Sequence, residues 1–126
     1  METNKPVVVK RLPPSMDASG ARLFFSDVEP LLRSDRPQLV FDLSQVERLD
    51  VSGVETLLRC MREVMRRDGD LKLAALSAQA ATVLELTRTD RLFEIYETST
   101  DAARSYSCFL PRSIRRFQPE SQRLAA

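Results

Sequence analysis

Apolar positions along this chain follow two alternating periods, and the switches between them mark out the elements. Val7 to Leu12 is a β-rich run that Pro13-Pro14 stops, because proline has no N–H to give to a ladder. From Asp17 the spacing lengthens. Ala21, Phe24, Phe25, Val28, Leu31 and Leu32 keep a helical period, with Asp17 as the cap and Pro37 a few residues beyond the end near Arg33. Pro30 conflicts with that pattern and is expected to shorten or kink the last turn. Leu39, Val40, Phe41 and Leu43 are a second strand-like run, rich in β-branched and aromatic side chains. Val54, Leu57, Leu58, Met61, Val64 and Met65 then recur three or four apart, the apolar stripe of a helix docking on a sheet. Arg66-Arg67-Asp68-Gly69 closes this helix, with cations favourable at its C-terminal dipole and a glycine suited to a left-handed cap.

Leu71 to Leu76 predicts a further strand, and Ser77 caps a short helix carrying Ala80, Ala81, Val83, Leu84 and Leu86. Leu92 to Tyr96 reads as the last strand, and Thr98-Ser99-Thr100-Asp101 offers caps for a final helix to about Tyr106. Strand then helix, four times over, predicts an α/β domain whose sheet is largely parallel in its later part, with right-handed crossovers. The pattern breaks near Ser107. At 126 residues the chain suits one domain with a real core, here 1–106, followed by a C-terminal tail, 107–126, expected to be partly disordered or helical.

Charge separates the two parts. From Arg104 onward five arginines face a single acid, Glu120, so the segment from Arg104 carries +4 and the residues before Arg104 carry −3, within a formal net charge of +1. Phe109 and Phe117 flank those arginines, a combination able to contact nucleic acid or an anionic surface. Against this, near-neutral overall charge gives little general attraction to polyanions, and the tail can equally pack its two Phe on its own domain or a neighbour. Nucleic acid is therefore not the expected partner.

The chain has no histidine, which removes Ser-His-Asp and Cys-His nucleophile activation and every histidine-containing zinc site. Cys60 and Cys108 alone make neither a disulfide framework nor a structural zinc site, and reduced cysteines fit a cytosolic compartment. There is no Gly-rich phosphate loop and no clustered acidic motif, so neither an enzyme nor a metal or cofactor is expected. No apolar stretch approaches bilayer length, and METNKPVVVK lacks the apolar core of a secretory signal. These features predict a cytoplasmic protein without membrane insertion.

What remains is a binding module, and its candidate site is the strand-to-helix edge Asp50-Val51-Ser52-Gly53. Ser52 and Glu55 have the spacing of a capping box, in which the serine oxygen accepts a backbone N–H and the glutamate reaches back to the cap. Asp50 has two open readings, a carboxylate facing the positive end of the helix or a partner contact.

The runs VFDLSQVERLDVSGVETLL, MRRDGDLKLAALS and VLELTRTDRLFEIYETSTDA, as an ordered set, resemble the STAS domain, in particular that of bacterial anti-sigma factor antagonists. The resemblance spans most of Val7 to Tyr106. It implies a mixed sheet of about four to five strands with four helices mainly on one face, no catalytic activity, and partner switching. In that scheme the antagonist binds an anti-sigma factor that is also a serine kinase, frees a sigma factor, and is switched off by phosphorylation. The family acceptor directly follows the aspartate, where this chain has Val51, which carries no hydroxyl. Two readings follow: an antagonist that cannot be switched off in this way, or a nonphosphorylated STAS scaffold or subunit of a transport or signalling assembly. Ser52 matches the second variable position and is the candidate substitute acceptor. The expected partner face is Asp50, Val51, Ser52 and Gly53, with Glu55 and Thr56 at its margin. The first strand common in the family looks short or missing over Met1 to Pro6, which leaves a homodimer surface open.

Overall fold

The computed structural model describes residues 6–106. Its order is β1 (Val8–Arg11), β2 (Ser15–Met16), α1 (Ala18–Leu32), β3 (Gln38–Asp42), β4 (Arg48–Leu49), α2 (Val51–Arg66), β5 (Asp70–Ala74), α3 (Ala78–Leu86), a 3₁₀ turn (Thr89–Leu92), β6 (Glu94–Tyr96) and α4 (Ser99–Ser105). The expectations for the tail, for Cys108 and for Met1 to Lys5 lie outside the described residues.

The main sheet runs β1-β3-β5-β6, and all three of its pairings are parallel. The α/β class with four helices stands as expected. The implied mixed sheet is replaced, among the described residues, by a parallel one, because a helix rather than a hairpin joins each strand of this sheet to the next. The strand order also advances in one direction, so right-handed crossovers place α1, α2 and α3 on the same face. Phe24, Val28, Leu57, Val64 and Leu84 close there over Leu39, Phe41, Leu71 and Leu73. The Phe24 and Phe41 rings meet edge to face with centroids 5.1 Å apart.

The final helix follows the last strand without a crossover to dictate its side. It covers the opposite face, where Ala102 packs with Val40, Ala74 and Tyr96. Lys72 points to this same face from the middle of β5 and is fully buried. Its ammonium lies 3.4 Å from Glu94 Oε1, donates to Ser105 Oγ, and sits 4.1 Å from the centroid of the Tyr106 ring. The Tyr96 hydroxyl donates to the same Glu94 oxygen at 3.1 Å, and the Tyr106 hydroxyl is within donating distance of Leu39 O and Asp70 O, at 2.8 and 2.9 Å. A buried charge is tolerable only with partners of this kind. At the other end of β3, Asp42 accepts from Ser44 N at 2.8 Å and from Ser99 Oγ at 2.9 Å, pinning the start of α4. Partial burial works against the Asp42 carboxylate, but bonds from Ser44 and Ser99 and the nearby Arg11 outweigh it and hold its pKa below the usual value.

Two details differ from the sequence reading. Pro30 sits inside α1 without ending it early; the bond it removes would have gone to Ser26 O, and both residues are exposed, so that carbonyl is open to water. The left-handed residue after α2 is Asp68 (φ 61°), not Gly69. Gly69 N and Asp68 N donate to Val64 O and Met65 O, at 2.8 and 3.1 Å, which completes a Schellman motif with aspartate in the glycine-favoured place. Gly69 answers a different need, since a Cβ there would lie 2.3 Å from Pro37 O.

Beside the main sheet, β2 and β4 form a two-stranded parallel ladder with Ser15 opposite Arg48 and Met16 opposite Leu49. Each strand runs directly into a helix, so α1 and α2 start side by side. A Cβ on Gly20 would lie 1.9 Å from Ser15 O, and one on Gly53 would lie 2.5 Å from Met16 O. Both glycines are there for close approach.

Gly53→Ala, which helix propensity alone would favour by about 1 kcal/mol, is expected instead to destabilise by about 1–3 kcal/mol through overpacking against backbone, read as a lower urea midpoint with unchanged slope. Lys72→Ala should cost about 3–5 kcal/mol by stranding Glu94, and Lys72→Met combined with Glu94→Leu should recover most of it in the same assay. The folded pKa of Asp42 lies below its unfolded value, so its contribution is complete above about pH 3.9 and is lost as pH falls through the folded pKa. Asp42→Asn should therefore flatten the acid limb of a plot of urea midpoint against pH.

Candidate functional site

Asp50 settles the start of α2. It is the N-cap, in extended conformation (φ −111°, ψ −169°), and its Oδ1 accepts from Gly53 N at 3.2 Å. The expected capping box of Ser52 and Glu55 does not form. β4 ends one residue before Asp50, so the chain bends into the helix there and Ser52 is already inside the first turn, two residues too late to cap it. Of the two readings held open for Asp50, the carboxylate facing the helix start is in place, and the residue is exposed as well. Among the described residues the Ser52 hydroxyl makes no hydrogen bond.

The same geometry occurs once more, at the expected cap Asp17; that it repeats the Asp50 motif is what sequence reading missed. Asp17 caps α1 by accepting from Gly20 N at 2.9 Å. That backbone bond, together with one from Ser15, holds its carboxyl below the usual value against the opposing effect of desolvation. The signal was present: Asp17-Ala18-Ser19-Gly20 and Asp50-Val51-Ser52-Gly53 share Asp-x-Ser-Gly. The β2–β4 register sets Met16 opposite Leu49, and the two motifs follow in step.

The expected site residues separate by exposure. Val51, the first helical residue, is 67% exposed, a large fraction for an aliphatic side chain. Glu55 is exposed; Ser52 and Thr56 are half-buried. Gly53 is buried against Met16 and Leu49 and presents nothing outward. Ser52, Glu55 and Thr56 border a groove of about 650 Å³ between the first halves of α1 and α2, whose other wall includes Ala18, Ala21 and Phe25.

Cys60 faces the core from the inner side of α2, and burial pushes its thiol up to about 12, so it is an inert packing residue at neutral pH. No group of three or more metal-ligating side chains is gathered among the described residues. No helix among them is long and apolar enough to cross a membrane.

Comparison with known proteins agrees with this architecture. A STAS domain protein from Planctomyces limnophilus, described as an anti-sigma-factor antagonist, superposes with a TM-score of 0.66 at 21% identity, over 73% of this chain and 80% of that one. A putative anti-sigma factor antagonist from Thermotoga maritima gives 0.71 at 23% identity, over 79% and 88%. The STAS domain of a SulP transporter from Vibrio cholerae gives 0.66 at 14% identity, over 84% of each chain. At these identities the likeness is one of fold. The family model of the STAS domain, however, matches residues 1–102 of the sequence itself, and the chain belongs to the STAS domain family.

Proposed function

We propose that this chain is a non-enzymatic regulatory module that binds an anti-sigma factor of the serine-kinase type and so releases a sigma factor. Its STAS domain would span 1–106, with 107–126 a separate basic tail, and it would work in the cytoplasm. The partner face is the start of α2: Asp50, Val51 and Ser52, with Glu55 and Thr56 beside them and Gly53 beneath. One observation carries the reading. Val51 occupies the position where the family places its phosphoacceptor, and it stands 67% exposed at the tip of a capped helix. An aliphatic side chain left in water at such a place gains by burial against a partner, at about 25 cal/mol for each Å² covered.

A phosphate would add about −1.5 to −2 charge at pH 7. The helix N-terminus tolerates that charge locally, so an off-switch of this kind acts by repulsion and steric conflict at the partner's surface. Valine offers no oxygen for it. Ser52 is the remaining hydroxyl of the motif, and the Asp50 cap leaves it without the backbone bond that would have competed with modification. A second reading, a STAS subunit of a transport assembly that needs no phosphorylation, is favoured by the fold likeness to the SulP transporter domain.

Pull-down of the tagged chain from its native lysate, with and without ATP, tests both readings. A serine-kinase anti-sigma factor should be retained equally in the two conditions; recovery of membrane-transport subunits instead would support the second reading. Val51→Glu should weaken retention at least tenfold, and unchanged retention would move the interface elsewhere. Val51→Ser should make retention ATP-sensitive. A phosphopeptide map of the same wild-type sample reads Ser52 directly.

A further inference from the structure

The groove between α1 and α2 carries unneutralised positive charge. Arg22 on α1 and Arg59 and Arg62 on α2 line it, all exposed, with Glu55 as the one acid along its walls. Other arginines of these helices are engaged: Arg33 with Glu29 at 2.8 Å, and Arg66 and Arg67 with Glu63 at 3.6 and 3.1 Å. None of the ion pairs among the described residues involves Arg22, Arg59 or Arg62. Arg59 lies four residues after Glu55, the spacing that favours a helical ion pair, yet its guanidinium is turned across the groove, 4.1 Å from the centroid of the Phe25 ring. A guanidinium stacked in this way is held in place with its N–H edge still free to grip a carboxylate.

Two further features act in the same direction. The parallel starts of α1 and α2 bring two positive dipole ends to one margin of the groove. The floor, Phe25 and Leu58 with Ala21, is apolar and half-buried or buried. From Ser52 to Arg62 the α2 wall is about 15 Å long at ~1.5 Å per residue, the reach of four or five extended residues at ~3.3 Å each.

We infer that this groove docks an extended acidic segment of the protein partner, two or more Asp or Glu side chains meeting Arg22, Arg59 and Arg62 while one apolar side chain rests on Phe25 and Leu58. The inference rests on the partner-binding reading and extends that face from Val51 along α2. Nucleic acid is the poorer fit: three cations beside a glutamate over so short a track neutralise few phosphates.

The test is a titration of the isotope-labelled full chain at low salt with the peptide acetyl-Glu-Glu-Leu-Glu-Glu-amide, followed by amide chemical shifts. Saturable shifts confined to residues 18–26 and 52–62 are expected. Arg22→Glu and Arg59→Glu should each weaken the peptide at least tenfold, whereas Arg33→Glu, an exposed arginine outside the groove, should leave it unchanged. Thermal midpoints confirm that each variant is folded. Shifts lying elsewhere, no saturation, or indifference to both groove variants would overturn the inference, as would tighter binding of a thymidine pentanucleotide at the same residues. The outcome separates from that of the partner reading. A native partner lost by Val51→Glu but kept by Arg22→Glu and Arg59→Glu sinks the groove alone. Peptide binding that follows the arginines, with no native partner dependent on Val51, keeps the groove and sinks the reading.

Discussion

The backbone of the β2 strand runs so close to the first turns of α1 and α2 that neither helix could carry a side chain at the point of contact. Gly20 and Gly53 meet that constraint, with Ser15 O and Met16 O standing where their Cβ atoms would be. Much of the α1–α2 end follows from it. The close approach lets β2 and β4 pair, the pairing sets the two aspartate caps in step, and the caps fix where each helix begins. Once Asp50 is the cap, Val51 has to be the first helical residue, directed outward, and Ser52 the second, at the rim of the groove. The same parallel start leaves the open groove that the arginines line.

The opposite end of the molecule answers to a different requirement. A strand order that advances one way puts every crossover helix on a single face, and the other face of a parallel sheet cannot be left in water. The short α4 covers it, and a charged residue, Lys72, lies beneath. The ammonium is held by Glu94, Ser105 and Tyr106 together, so α4, β5 and β6 are tied by one polar cluster. A pair of this kind adds little net stability over an apolar replacement, but it penalises any arrangement that separates its members. Asp42 and Ser99 add a second tie at the far end of β3. Both anchors hold α4 against the face of the sheet opposite α1 and α2.

Seen from that face, the departure at Val51 is a change of chemistry at a fixed point of the backbone. The cap geometry needs only an aspartate and a glycine three residues on; the intervening positions are free to vary. Valine at that point replaces a hydroxyl with an exposed apolar side chain, which on the proposed reading would meet the partner by contact. On the proposed reading, the neighbouring arginines would carry the electrostatic share of recognition, through steering and register.

Apart from the two-residue strands β2 and β4, the order and type of the main elements were legible in the chain because each follows from a local pattern: apolar residues three or four apart on α1 and α2, short apolar runs for β3 and β5, and cap residues at Asp17, Ser77 and Thr98. The motif at Asp50 was equally plain, since its residue types bear on one turn of backbone. What sequence could not assign was which of several candidate groups takes a role for which all are chemically fit. Asp50 and Ser52 can both cap, and the end of β4 chose between them. Asp68 and Gly69 can both adopt the left-handed turn, and the proximity of Pro37 reserved the glycine for close approach. The alternation of β5 marks Lys72 as polar but not as buried, because its burial depends on a helix that arrives more than twenty residues later. The groove and its unpaired arginines belong to the same class: Glu55 and Arg59 have the spacing of a pair, and only the nearness of Phe25, brought by a different helix, drew the guanidinium away. Local sequence determines what a segment can form, and contacts between segments distant in sequence decide which of those options is taken.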